Sequence, residues 1–307
     1  MPDLLLHHHE PSPFAEKIRL IMGLKGLEWA SVQIPMVMPK PDLTALTGGY
    51  RKTPVLQIGA DVYCDTALIA RELEARFPEP SLFPNGWHGL GYALGEWSDR
   101  ALFQPGAGLS MGENPDIPEP VLADRRAFFN FMNFDRMAEA MPNFYAQFQA
   151  QCQLLEDELT AGDDDFLSGA VAAWPDIQAY FSVWMAEGNI PRAAELLAPF
   201  PAIRAWAARM ATIGHGERSD AGADEAHAIA RAAEPLPGSG IVADPFHDFS
   251  AGDAVTVTPD DYGKVPVSGR LLTLDRRRIA IERRDDDLGR TAVHFPRAGF
   301  VIERDAA

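Results

Sequence analysis

Apolar positions change their rhythm twice along the chain. From about Pro2 to Pro80, short runs alternate with helical spacing. Leu4-Leu5-Leu6 is a brief apolar run suited to a buried strand, and a turn follows at Glu10-Pro11-Ser12-Pro13. Phe14, Ile18, Ile21 and Met22 then recur at helical spacing as far as Gly26, a C-terminal helix stop. Trp29 to Ile34 alternates as a strand does. Pro54-Val55-Leu56-Gln57-Ile58, a turn at Gly59-Ala60-Asp61, and Val62-Tyr63-Cys64 predict a hairpin. Asp65-Thr66 opens a further helix carrying Leu68, Ile69, Leu73 and Phe77. The order is βαβ followed by ββα, and its first half requires a right-handed crossover between parallel strands.

From about Trp87 to His215 the pattern is helical. Phe128, Phe129, Phe131, Met132, Phe134 and Met137 predict an aromatic-rich helix interrupted at Pro142. Leu154, Leu155 and Leu159 continue the period, and helices are expected over Asp176 to Met185 and Pro201 to Met210. Glu217 to Pro237, rich in Ala, Gly and charge, predicts a short helix plus a linker. Beyond it come five short strands around Val255-Val257, Leu271-Leu274, Ile279-Ile281, Thr291-Val293 and Phe300-Ile302, punctuated by Gly and Asp. Five such strands predict a small β-barrel resembling an SH3-like module. The fold class is therefore α/β plus all-α plus small all-β, with domains at 1–80, 87–216 and 244–307 and a linker at 217–243.

Length and composition narrow the function. The 307 residues leave room for about two domains, and a 47% apolar content is enough for a sizeable core. No apolar run reaches the roughly 18 residues of a membrane span. Met1 to Leu6 has neither the basic region nor the small-residue cleavage site of a signal peptide. A net charge of −17 disfavours nucleic acid and anionic lipid as partners, but local donors can still hold an anionic ligand. Two cysteines, Cys64 and Cys152, make no disulfide framework and read as reduced thiols of a cytoplasmic protein.

Ser12-Pro13-Phe14-Ala15-Glu16-Lys17-Ile18-Arg19 carries the most chemistry. A strand ends, a Pro-bounded turn follows, and a helix begins. The helix start offers free N–H groups and the positive end of the dipole, which stabilise a thiolate. The Ser12 hydroxyl can donate to that sulfur, or it can simply cap the helix. One charge-assisted hydrogen bond is worth about 1.5–3 kcal/mol, enough to ionise a thiol at neutral pH. In Lys52-Thr53-Pro54-Val55-Leu56, a cis Thr53–Pro54 bond would turn the Thr53 backbone outward to pair with an extended peptide. A trans bond would make it an ordinary strand start. Asp65-Thr66 combines a carboxylate, a hydroxyl and free N–H groups. That set can hold the zwitterionic end of an amino acid, or it can be a plain helix cap.

In this order and spacing, these three elements resemble the N-terminal domain of the glutathione transferase family, a thioredoxin-like fold. Ser12-Pro13-Phe14 looks like the serine motif of tau-type members. Pro13-Phe14-Ala15-Glu16 also resembles the omega type, in which a cysteine stands at the position of Ser12. Serine favours thiolate stabilisation and conjugation, whereas cysteine would favour reductase chemistry. The resemblance implies that Ser12 is catalytic and that Pro13, Phe14, Thr53, Pro54 and Val55 border bound glutathione. It further implies that Asp65 and Thr66 hold the γ-glutamyl group and that Lys40 meets the glycyl carboxylate. Phe166-Leu167-Ser168-Gly169 with Pro175-Asp176 resembles the family's helix-capping segment, with Ala173 in place of the usual hydroxyl residue. Glutathione is then the co-substrate, with no metal. The second substrate is a small hydrophobic electrophile, the assembly a homodimer, and the role one in detoxification. Conjugation, related substitution, ether cleavage and isomerisation all share the thiolate step. The alternative is a non-catalytic glutathione-binding or protein-interaction module.

Other features read more plainly. His7-His8-His9 lacks companion ligands at metal-site spacing, and on a strand His7 and His9 face away from His8. His9 or Glu10 can line the mouth of the site. Cys64 reads as a core thiol. Trp97, Phe103 and Met111 are either substrate-lining or core. Arg276-Arg277-Arg278 and Arg283-Arg284, offset by Asp285-Asp286-Asp287, read as a solvated hairpin.

Overall fold

A computed structural model describes residues 2–305; Met1, Ala306 and Ala307, which the expected end domains take in, lie outside the described residues. The first unit runs β1 (Leu5–His8), α1 (Pro13–Leu24), β2 (Glu28–Gln33), α2 (Pro41–Thr47), β3 (Val55–Ile58), β4 (Asp61–Cys64) and α3 (Thr66–Arg76). Strand β1 pairs parallel with β2 and antiparallel with β3, which forms the hairpin with β4. This is the thioredoxin-like arrangement. Helix α1 starts where Ser12 supplies a cap and Pro13 fits the first turn, and it gives way at Gly26, whose φ of 60° needs no Cβ. The apolar stripe of α1, including Ile18, Ile21 and Met22, is buried against β1 and the helical domain.

The helical domain comprises α4 (His88–Glu96), α5 (Phe103–Glu113), α6 (Glu119–Phe128), α7 (Met137–Thr160), α8 (Trp174–Asn189), α9 (Ala193–Leu197) and α10 (Pro201–Met210). A π-helical turn, Trp97–Leu102, joins α4 to α5. The expected aromatic-rich helix does not form as one piece. Helix α6 ends at Phe128, and Phe129 is extended. Phe129, Phe131 and Met132 lie instead on irregular backbone and pack with Phe103, Phe181 and Tyr262. Pro142 lies inside α7 without ending it. Asp176 supplies half of a capping arrangement, since its carboxylate accepts from the Leu167 and Ala173 backbone N–H groups and from Trp206 Nε1.

The C-terminal region departs most from expectation. In the stretch read as a short helix plus a linker, the helix is α11 (Ala223–Ala232), but β5 (Glu217–Asp220) precedes it and pairs parallel with β2. All four β5 residues are exposed and polar, so no apolar pattern marks the strand. After β6 (Gly240–Ile241) come β7 (Ala254–Pro259), β8 (Val267–Leu274), β9 (Arg278–Asp285), β10 (Gly289–Pro296) and β11 (Phe300–Arg304). All five strands expected after 244 are present, but they do not close an SH3-like barrel among the described residues. They extend the first sheet. Strand β10 lies parallel to β4, and the path runs β11-β7-β8-β9-β10-β4-β3-β1-β2-β5, with β6 beside β8. The free edge of β4 offers unpaired backbone groups, and β10 takes them up. A shared core follows, in which Leu46, Tyr50, Val55 and Val62 pack with Val255, Val293 and Phe295. The basic hairpin is partly docked as well. Arg278 pairs with Glu72 at 2.8 Å, and Arg283 donates to the Ala45 carbonyl.

Candidate active site

One cavity of about 230 Å³ lies between the first unit and the helical domain. Of the residues expected at the site, Ser12, Pro13, Phe14, Lys40, Thr53, Pro54, Asp65 and Thr66 line it. Val55 does not; its side chain is fully buried in the core shared with the C-terminal strands.

The β1–α1 turn delivers Ser12. Its Oγ accepts from the Ala15 backbone N–H at 3.2 Å, so the cap is real. Accepting that bond leaves the hydroxyl proton available to a ligand. The loop before β3 delivers Thr53 and Pro54 across a cis peptide bond. Lys40, at the foot of α2, donates to Thr53 Oγ1 at 3.1 Å and to the Arg51 carbonyl at 3.2 Å. Burial, reinforced by nearby Arg125, pulls its ammonium down to about 8. Asp65 caps α3 by accepting from the Ala67 N–H at 2.9 Å. Its φ of 77° is a conformation most non-glycine residues avoid, and such strain gathers at functional sites. Burial pushes its carboxyl up to about 6, against the pull of Lys52.

Several lining residues carried no signal in the sequence. Asp99, set by the π-helical turn, pairs with buried Lys17. Arg51 and Arg125 both reach Asp124 at 2.8 Å. Lys52 pairs with Asp261, 209 residues away, and lies 4.5 Å above the Tyr262 ring. Among the described residues, Lys40 and Asp65 are then the two charged groups lining the cavity that lack an ion-pair partner. His9 also lines it. Burial drives its imidazole down to about 3, and its Nδ1 is enclosed without a partner among the described residues. Glu10 instead pairs with Arg218.

The remaining wall is apolar. Phe14 meets Phe103 and Phe181 with ring centroids 4.9 Å apart, and Phe103, Met111, Phe128 and Phe129 face the cavity. Trp97 does not; it donates to Gln151 and packs on the core. Cys64 is fully buried, and burial raises its thiol well above the ordinary range. His7 and His8 bond Gln57 and Ser31 within the sheet.

Residues 6–81 match the family model for the glutathione S-transferase N-terminal domain. A GST-like protein from Pseudomonas syringae, known from its crystal structure, is 38% identical, with a TM-score of 0.79. The match covers 99% of this chain and 100% of that one, so the C-terminal strands fall within what the two share. A glutathione S-transferase from Rhodospirillum rubrum is 21% identical over 67% of this chain and 86% of its own, with a TM-score of 0.52. A rice transferase solved in complex with glutathione is 21% identical over 69% and 88%, with a TM-score of 0.51. These last two likenesses concern the fold alone. No curated protein sequence is significantly similar to the chain. On the full-length match and the N-terminal domain together, the chain belongs to the glutathione S-transferase family.

Proposed function

We propose that the protein is a glutathione-dependent transferase that binds glutathione along Ser12, Thr53 and Asp65 and uses its thiolate against a small hydrophobic electrophile. The observation that carries this reading is the pair of charges in the cavity that have no ion-pair partner among the described residues. Lys40 and Asp65 have opposite signs and line the cavity together with Thr53 and Pro54, while every other charged lining group has an ion-pair partner within the chain. Glutathione is a peptide with a carboxylate at one end and an ammonium-bearing γ-glutamyl group at the other. Lys40 then takes the glycyl carboxylate, Asp65 and Thr66 the γ-glutamyl end, and Thr53 the peptide between them.

That pose puts the cysteinyl sulfur near the start of α1. The Ser12 hydroxyl donates to it, and the helix dipole favours its negative charge. The thiolate attacks an electrophile held by Phe14, Phe103 and their neighbours, and no metal is used. Substitution, ether cleavage and isomerisation remain open to the same thiolate. The rice relative's complex with glutathione supports the ligand assignment. We further propose a homodimer, tested by sedimentation, working in the cytoplasm, where the buried thiols Cys64 and Cys152 stay reduced. Among the described residues, no helix is long and apolar enough to cross a membrane.

The direct test is calorimetric titration with glutathione of the wild type, Asp65→Ala and Lys40→Ala. The expected result is binding by the wild type and a loss of about tenfold or more in each variant, the worth of one charge-assisted contact. Equal affinity in all three would refute the pose.

A further inference from the structure

The loop between β7 and β8 reaches out of the C-terminal strands into the cavity. Tyr262 sits on it, with only 6% of its surface exposed. Its ring meets Phe128 at 5.1 Å and both Phe129 and Phe131 at 5.5 Å, and it stacks near Phe103. Lys52, next in the chain to Thr53, lies over the ring, 4.5 Å from its centre. The backbone is fixed too. The Gly263 N–H donates to the Phe128 carbonyl at 3.1 Å, and Asn130 donates to the Asp261 carbonyl at 2.9 Å. A Cβ on Gly263 would come within 2.3 Å of the Phe128 ring, so the loop lies as close to the helical domain as a glycine permits. Tyr262 thus belongs to the aromatic wall, and Lys52 stands between it and the loop where glutathione is placed. Its hydroxyl has no hydrogen-bond partner among the described residues, and the side chain lines the cavity.

We propose that Tyr262 is a specificity-determining residue of the second-substrate site, selecting flat aromatic or conjugated electrophiles that carry a polar acceptor opposite its hydroxyl. This deepens the transferase reading and rests on it, because the electrophile must lie next to the thiolate. The C-terminal strands thereby gain a function. They form a platform that carries Tyr262 into a site otherwise built by the first two units. Aromatic rings on several sides favour a planar guest, and a tyrosine with an unspent donor favours a carbonyl, nitro or sulfonate oxygen on it.

Anilinonaphthalene sulfonate, an anionic planar aromatic, serves as the probe. Its fluorescence is titrated with the wild type, Tyr262→Phe, Tyr262→Ala and Lys264→Ala, each saturated with glutathione and each without it. Tyr262→Phe should weaken probe binding about three- to tenfold, the worth of one hydrogen bond, and Tyr262→Ala by more than that. Lys264, exposed on the same loop, should make no difference when replaced. Glutathione affinity by calorimetry should stay within about twofold in all variants, since no contact to it is removed. Wild-type probe affinity in Tyr262→Phe and Tyr262→Ala overturns the proposal, and so does a wild type that does not bind the probe. If Tyr262→Ala fails to fold, Tyr262→Phe decides alone. Failure of the wild type to bind glutathione would sink the transferase reading instead, a result the probe titration does not share.

Discussion

His294 Nε2 lies 2.7 Å from the Asp61 carboxylate, and both side chains are buried where β10 runs alongside β4. The imidazole also stacks on Tyr63, centroid to centroid 4.6 Å with 11° between the planes. The other Asp61 oxygen accepts from the Leu236 N–H at 3.0 Å. One carboxylate therefore ties together the first sheet, the segment after α11 and the C-terminal strands.

Removing it should be costly. Asp61→Ala leaves the buried His294 imidazole and the part-buried Leu236 N–H without a partner; at about 1–3 kcal/mol for the first and about 1 for the second, urea unfolding should show a loss of about 2–4 kcal/mol. Asp61→Asn keeps one acceptor oxygen and should fall between the two. Wild-type stability in Asp61→Ala would mean that this junction does not hold the sheet together.

Ser12→Ala should separate the two roles of one hydroxyl. Loss of the cap to the Ala15 N–H should cost about 1 kcal/mol of stability. Loss of the donor should raise the bound glutathione thiol by about one to two pKa units, the equivalent of one charge-assisted hydrogen bond. Thiolate absorbance of the complex against pH reads the second effect. If only stability changes, Ser12 is a helix cap and nothing more.

The first unit was legible because its signals are local. Each apolar run, turn and cap from Leu4 to Phe77 lies within a few residues of the element it specifies, and Ser12, Thr53 and Asp65 each open or close one. Helix α2 escaped notice because seven residues carry too little period. The C-terminal strands were legible one by one but not in their pairing. The alternation in Thr291-Ala292-Val293 is the same whether that strand closes a small barrel or lies beside Asp61-Val62-Tyr63. Asp261 and Tyr262 stayed hidden for a related reason. Nothing local distinguishes a turn residue in solvent from one that meets Lys52 across 209 residues.

The Asp65 carboxyl gives glutathione binding a pH signature. Held at about 6 in the free protein, it is neutral below that value and charged above it. An ammonium beside it favours the charged form, so binding should release a proton near pH 6 and strengthen as pH rises through that region. Calorimetry in buffers of different ionisation enthalpy measures the release, and Asp65→Asn should abolish it. The ligand-free protein should respond in the opposite sense. Because the folded carboxyl lies above its ordinary 3.8, its contribution to stability is full below about 4 and lost as pH rises through about 6. Asp65→Asn should therefore be the more stable ligand-free form at neutral pH, with the difference closing in acid. Binding that does not vary between pH 5 and 7 would remove Asp65 from the ammonium site.

Truncation tests whether the C-terminal strands are an appended module or part of one structure. Composition around Glu217 to Pro237 predicts an independent unit, which could be cut away without harm. Pairing predicts the reverse. Deleting from about Gly240 onward strips β10 from β4 and exposes the backbone edge of the central hairpin. It also uncovers Leu46, Tyr50, Val55 and Val62, which pack against Val255, Val293 and Phe295 in the intact protein and are almost wholly buried there. At about 1.5–3 kcal/mol per large apolar side chain returned to water, four such residues lose roughly 6–12 kcal/mol, comparable with the whole stability of an ordinary domain. The truncated chain should therefore aggregate or fail to bind glutathione even though the deletion removes no residue of the proposed glutathione site. Adding Asp61→Asn to it should do little further harm, because the His294 partner of that carboxylate is already gone and the asparagine oxygen can still accept from the Leu236 N–H. A soluble, glutathione-binding product ending near residue 239 would show instead that the first two units fold alone and that the strand pairing adds little to their stability.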